Sequence, residues 1–267
     1  MLGASGKTGR ALRHALAQAR PAAVRVRPIG RAHWADLAGA LRGCDAAYLI
    51  APNLHADEPG FITEVLTAAR AAGVRRVVYH SVAAPYAPAM PHHLGKAAAE
   101  DRVRRWGVRD GMSWTILQPC AYVQNFVPAL RDPAPVLRVP YDVEAPFGLV
   151  DLADVAEAAA TVLLDDAADS PHRGATYELG GPRLVSVRDV AEAASAVLGR
   201  DVVLEQIHSE AWRGGDDLDA REREWLLAMF ASYDAHGLPT GPLPLTALLG
   251  RTPTDLAEVL SRELAGA

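Results

Sequence analysis

The sequence predicts an α/β fold, a doubly wound parallel sheet with a smaller, mainly helical C-terminal region. Three observations carry this. A glycine triplet opens the chain and runs straight into a helical pattern. Apolar runs of strand length then alternate with stretches of helical period as far as Pro119. Beyond that point the alternation gives way to a proline-rich stretch and further helices. Parallel strands need crossover connections, so this alternation places helices on both faces of one sheet.

The elements follow in order. Gly3, Gly6 and Gly9, in Met-Leu-Gly-Ala-Ser-Gly-Lys-Thr-Gly, suit a tight turn whose backbone approaches a ligand closely. The helix after it offers unpaired N–H groups and a positive dipole end to an anion. Leu12, Ala15, Leu16 and Ala19 mark one face of that helix, which is expected to end before Pro21. Residues 24–27 read as a short strand and 34–41 as a short helix. The continuous apolar run at 45–52 suits a strand buried on both faces. A helix at 59–72, closed by Gly73, precedes a strand at 76–81; a helix at 92–105 precedes a strand at 113–118. After Pro128, Pro133, Pro135, Pro140 and Pro146 come helices at 152–164 and 186–198 around a strand at 175–179, then helical stretches at 219–236 and 254–264. Residues 1–150 are read as a dinucleotide-binding unit. Residues 151–267 are read as a substrate or lid region interleaved with it, closing a cleft where ligands of open α/β sheets sit, outside the carboxyl ends of the strands.

One element is short. Only Met1 and Leu2 precede the glycine turn, where a Rossmann-like unit places a full central strand, and 35 residues separate Gly9 from Asp45. A truncated first strand exposes two long strand edges, which proteins avoid. The expectation is therefore a native start upstream of Met1, with ~5 to 8 residues completing the strand.

Composition bounds the function. A chain of 267 residues, 50% hydrophobic and 22% charged, buries a sizeable core, and a net charge of −5 gives no general pull toward nucleic acid or an anionic membrane. The two cysteines, Cys44 and Cys120, lie in apolar runs without metal-like spacing and read as buried thiols; no metal site is expected. No apolar run reaches the ~18 residues that span a bilayer, and no signal-peptide pattern opens the chain, so a cytoplasmic protein is expected.

Gly6-Lys7-Thr8 also resembles the end of a P-loop, but that loop needs a glycine where Met1 stands. A dinucleotide is the better ligand, with Gly3, Ser5, Gly6, Lys7, Thr8 and Gly9 around its phosphates. Past the second strand, an acid would select NAD and an arginine NADP. The stretch Arg25-Val26-Arg27-Pro28-Ile29-Gly30-Arg31 has no acid, so Arg27 and Arg31 favour NADP over NAD.

The glycine triplet, the strand end Ala51-Pro52, His80-Ser81, the segment from Pro91 to Glu100, the stretch from Trp114 to Asn125, and Val150-Asp151 with Asp154-Val155-Ala156 together resemble the NmrA-like atypical short-chain dehydrogenase/reductases. The resemblance implies an NADP-binding Rossmann domain with a small C-terminal substrate region. It also implies one of two roles: reduction of quinones and other enones, or redox-sensing regulation without turnover.

Typical short-chain dehydrogenases use Tyr-x-x-x-Lys on a helix and a serine at a strand end. Here the spacing is His92-x-x-x-Lys96, with Ser81 at the preceding strand end. Residues i and i+4 share a helix face, and histidine exchanges protons near neutral pH. Ser81 is thus expected to polarise a substrate oxygen, His92 to supply a proton and Lys96 to orient the ribose. Ala51 and Pro52 are expected beside the cofactor, and Tyr86, Tyr122, Gln124 and Asn125 along the substrate cleft. Asp151 and Asp154 read as a helix N-cap and a first-turn acid. The leading expectation is an NADPH-dependent oxidoreductase acting on a small carbonyl, quinone or enone. The alternatives are an NADP-binding regulator with a protein partner, and a redox-neutral cyclase or isomerase using the same cleft.

Overall fold

The computed structural model describes residues 1–19, 24–214 and 217–265. Its elements in chain order are α1 (Lys7–Ala19), α2 (Leu37–Leu41), β1 (Ala46–Leu49), α3 (Glu58–Ala71), β2 (Arg76–His80), α4 (Pro91–Asp110), β3 (Ser113–Pro119), α5 (Val127–Leu130), β4 (Val136–Val139), α6 (Leu152–Leu164), β5 (Ala175–Leu179), α7 (Val187–Leu198), β6 (Val203–Gln206), α8 (Ala220–His236), α9 (Leu243–Leu249) and α10 (Leu256–Glu263). The helix α1 is described to Ala19, and Pro21 lies outside the described residues.

The chain forms two units, neither continuous in sequence. The first comprises Met1–Tyr86, His92–Gln118 and Ala153–Tyr177; the second comprises Ala87–Pro91, Pro119–Leu152 and Glu178–Ala267. The boundary at 150/151 therefore differs from the structural one. The helix α6 returns to the first unit, while the proline-rich stretch after β3 belongs to the second.

In the first unit the strands run β1-β2-β3-β5 in one sheet, with β1 to β3 parallel and in the registers Ala46↔Arg76 and Arg76↔Ser113. One face of the sheet buries Leu49, Val77, Tyr79 and Ile116 against Phe61, Ile62, Val65, Ala99 and Val103 of α3 and α4. Near the C-terminal end of α6, Arg76 donates to the carbonyls of Leu163 and Asp165, at 2.6 and 2.8 Å, satisfying acceptors that the helix end leaves without partners.

The two residues before the glycine turn occupy a strand position. Leu2 donates its N–H to Tyr48 at 3.0 Å, and Ile29 donates to Met1 at 2.9 Å. Leu2 and Ile29 form an isolated parallel bridge, so the chain start lies between the 24–29 stretch and β1. The strand expected at 24–27 does not form; the contact there is the single bridge at Ile29. Among the described residues, Met1, Leu16, Val26, Ala46, Tyr48 and Leu163 help line a cavity of about 1050 Å³ there.

The second unit holds a parallel pair, β4 with β6, in the register Val136↔Val203. Prolines on either side of β4 mask so short a strand in the sequence. Three of its helices, α7, α8 and α10, begin on side-chain caps. Ser186 and Asp189 form a reciprocal box at α7, and Asp219 and Glu222 do the same at α8. Among the described residues no helix is long and apolar enough to cross a membrane.

Candidate functional site

The glycine turn closes with Gly6 N–H donating to the Gly3 carbonyl at 3.1 Å, and α1 begins at Lys7 with no acid in its first turn. The three glycines answer different needs. Gly3 has φ +65°, and a Cβ there would lie 2.3 Å from Ile50 Cγ2; a Cβ on Gly9 would lie 2.2 Å from the Gly3 carbonyl oxygen. Both are demanded by the chain's own packing. A Cβ on Gly6 would meet only the Gly3 oxygen, at 3.4 Å, and Gly6 is exposed with Ser5 and Lys7. Space at Gly6 beside a helix N-terminus fits a phosphate. Partial desolvation of its ammonium beside the turn lowers Lys7 below its ordinary pKa. Thr8 is buried under the turn.

The two arginines expected to choose the cofactor part company. Arg27 Nη1 donates to the carbonyls of Ala40 and Arg42, at 3.1 and 2.7 Å, tying the 24–29 stretch to the end of α2. Arg31 is exposed at the start of the 3-10 turn Arg31–Asp36. It is the better placed of the two for an anionic group.

Parallel strands bring the glycine turn, the buried Ala51, the half-buried Pro52 and Ser81 to the carboxyl edge of one sheet. Ser81 is 3% exposed and donates to Glu100 Oε1 at 2.6 Å. Glu100 is wholly buried and also accepts from Gln118 Nε2 at 2.7 Å and from Arg104 Nη2 at 2.8 Å. The phenol of Tyr86, 59% exposed, reaches the same carboxylate at 3.4 Å and accepts from Arg104 Nη1 at 2.9 Å. Lys96 donates to both oxygens of the buried Glu58, at 2.9 and 3.1 Å, and Tyr79 Oη donates to Glu58 Oε1 at 2.5 Å. The residues that sequence reasoning missed are therefore Glu58, Tyr79 and Glu100. Tyr79 sits in an apolar strand run, Glu58 in an acidic helix start, and Glu100 at the i+4 spacing of a surface pair, so none carries a sequence signal of its own.

His92 and His93 stand edge to face, with ring centroids 4.5 Å apart. His93 is buried and bonds through Nδ1 to the Ala84 carbonyl at 3.2 Å; Ala84 itself adopts φ +49°, a strained value for a residue with a Cβ. Burial, then the charges of His93 and Lys96, lower the His92 pKa to about 3. At pH 7 this favours the neutral imidazole of His92 over the imidazolium. Its Nδ1 is buried with no hydrogen-bond partner.

The remaining expected cleft residues belong to the second unit. Gln124 is committed to structure: Nε2 donates to Asp151 at 2.6 Å and to Glu263 at 3.1 Å, while Oε1 accepts from Leu152 N–H at 3.1 Å. Asp151 is further held by Arg262 at 2.8 and 3.0 Å. Tyr122 is half-buried and pairs with Val150 in a parallel bridge, and Asn125 is exposed at the end of the 3-10 turn Val123–Asn125. Both cysteines are free thiols; Cys120 is buried, and burial pushes its pKa up to about 11.

Comparison with known proteins adds to this geometry. A model of the NmrA-like family matches residues 31–260. The chain is 32% identical over 232 residues to (4-alkanoyl-5-oxo-2,5-dihydrofuran-3-yl)methyl phosphate reductase of Streptomyces griseus, covering 79% of this chain and 77% of that protein. It is 30% identical to NAD(P)H azoreductase of Xenophilus azovorans over 62% of this chain, a match that spans 56% of the azoreductase. Among solved structures, the NADPH-dependent quinone oxidoreductase of Escherichia coli complexed with NADPH superposes with a TM-score of 0.81 at 21% identity, covering 98% of both chains. The triphenylmethane reductase of Citrobacter sp. gives 0.79 at 21% identity, covering 99% of this chain and 98% of that one. At such identities these two likenesses speak for the fold.

Proposed function

From a chain that belongs to the NmrA-like family, we propose an NADPH-dependent oxidoreductase that reduces a small carbonyl, quinone or enone. The observation that carries the reading is Gly6. It has no packing need to be glycine, yet it keeps the backbone bare beside the start of α1, where a pyrophosphate gains N–H donors and a favourable dipole. Arg31 supplies a cation for a 2′-phosphate, and no acid lies between Arg25 and Arg31 to favour NAD. The reductases among the relatives support the same reading. One is a dihydrofuranone phosphate reductase and another an azoreductase, both consistent with electron-poor conjugated acceptors.

NADPH, when bound, supplies the hydride. The chain's residues bind and orient. Lys96 has three N–H donors, of which the Glu58 carboxylate occupies at most two, leaving at least one for a ribose hydroxyl. His92, neutral at pH 7, offers a ring N–H to a substrate oxygen that gains negative charge, without first having to lose a charge of its own. Ser81 holds its single proton on Glu100, and to polarise a substrate oxygen it must give up that bond.

Fluorescence titration with NADPH and NADH, followed by NADPH absorbance with a panel of quinones, conjugated lactones and azo dyes, tests the reading. Tight NADPH binding with turnover of one class is expected. Binding without turnover leaves the sensor reading, and no binding leaves the redox-neutral one.

A further inference from the structure

Glu58 has no counterpart among the residues a sequence motif would select, yet it is among the most constrained acids of the first unit. It stands at the first position of α3 and is 4% exposed. Asp57 caps that helix, its Oδ1 accepting the Gly60 N–H at 2.9 Å, so the Glu58 carboxylate is not spent on the helix start. It accepts instead from Tyr79 Oη at 2.5 Å and from Lys96 Nζ at 2.9 and 3.1 Å. Tyr79 is wholly buried, and its hydroxyl proton is spent on Glu58. A buried ion pair adds little net stability over apolar residues of the same volume, so folding alone does not account for this one.

Resting on the NADPH-dependent reading above, we propose that Glu58 is a positioning residue for Lys96. It fixes the ammonium on one side so that the remaining N–H points to the cofactor ribose, and Tyr79 in turn fixes Glu58. The geometry gives Tyr79 a specific part. A lysine side chain carries considerable rotamer entropy, and a carboxylate free to rotate would not hold it. Glu58 is held by the Tyr79 hydroxyl, and Tyr79 is packed in the core of the sheet. The phenol that a short-chain dehydrogenase carries on its helix is absent at His92; here a strand phenol braces the lysine from beneath, through a carboxylate.

The test is a double-mutant cycle read in NADPH affinity and in melting temperature. Glu58→Gln, Lys96→Gln and the double variant are titrated with NADPH by fluorescence. Glu58→Gln is expected to weaken NADPH about tenfold, the scale of one charge-assisted hydrogen bond, and to add less than about twofold once Lys96 is already replaced. The double variant is expected to melt above the less stable of the two single variants, because it leaves no lone buried charge. If Glu58→Gln does not fold, Tyr79→Phe, which keeps the ring and frees the carboxylate, should weaken NADPH about threefold with Lys96 present and leave it unchanged without. NADPH affinity within twofold of the parent, or the same loss with and without Lys96, overturns the proposal. A parent protein that binds no NADPH overturns the cofactor reading itself, a different result from a parent that binds and a variant that binds equally well.

Discussion

Gly9 packs so closely on Gly3 that a Cβ at position 9 would stand 2.2 Å from the Gly3 carbonyl oxygen and 2.6 Å from Ala4 Cα. The first turn of α1 therefore lies against the backbone of the loop that leads into it. Gly9→Ala should destabilise the fold by about 2 kcal/mol or more, since neither neighbour is a flexible side-chain end. Gly6→Ala should change stability by less than about 1 kcal/mol while weakening NADPH severalfold, because its methyl would intrude on ligand space rather than on protein. Urea denaturation and fluorescence titration of the two variants separate these roles; equal effects of both on stability would contradict the division.

Arg27 and Arg31 should also separate. Arg31→Glu places an anion where the 2′-phosphate is expected, and should cost NADPH tenfold or more in affinity while sparing NADH. Arg27→Ala removes two donors from the carbonyls of Ala40 and Arg42, and should cost about 1 kcal/mol of stability with little change in cofactor preference. Paired dissociation constants for NADPH and NADH check both.

The order of strands and helices was legible because it rests on local signals. The apolar run leading to Tyr48 and Leu49 and the valines of β2 announce buried strands, and Pro59, Ser186 and Asp219 announce helix starts. The network around Lys96 was not legible. Its partners Glu58 and Tyr79 come from other elements, 38 and 17 positions earlier in the sequence, and only sheet register brings them together. His92 was legible as a residue but not as a protonation state, since the pKa follows from burial and from charges placed by the fold. The two-stranded sheet β4-β6 was missed for a similar reason: four-residue strands 67 positions apart carry no period to read.

Three imidazoles make the first unit sensitive to acid. Burial is the largest cause that lowers His80 and His92 to about 3 and His93 to about 4, from an ordinary value of 6.5. Between those values the unfolded chain binds protons that the folded chain refuses, so stability rises with pH up to about 6.5 and levels off above it. As pH falls from 6.5 toward 4, these groups should remove up to about 4 kcal/mol per pH unit, the full weight of three protons. Urea midpoints at pH 7.5, 6 and 5 read the slope. His93→Gln should reduce it by about one proton, even though that variant is less stable at pH 7.5 through loss of the bond to Ala84. An unchanged slope would rule out His93 as one of the three.

The start of the chain offers the last prediction. Leu2 bridges Ile29 on one side and bonds Tyr48 on the other, and the cavity of about 1050 Å³ beside Met1 continues the same line between Val26 and Ala46. An added strand there would pair with backbone on both sides and bury alternate side chains against Leu16 and Leu163. Ordering each added residue costs about 1 to 2 kcal/mol, and burying an aliphatic side chain returns about 1.5 to 3, so only an extension that also makes its hydrogen bonds gains. Five strand-forming residues, such as Lys-Ile-Ala-Val-Thr, placed before Met1 should therefore raise the melting temperature by several degrees, on the order of 1 to 2 kcal/mol. The matched extension Lys-Pro-Ala-Pro-Thr, which lacks two N–H groups, should leave it unchanged. Calorimetry of the three chains decides it, since a gain shared by both extensions would mean that the added residues act by something other than pairing in the sheet.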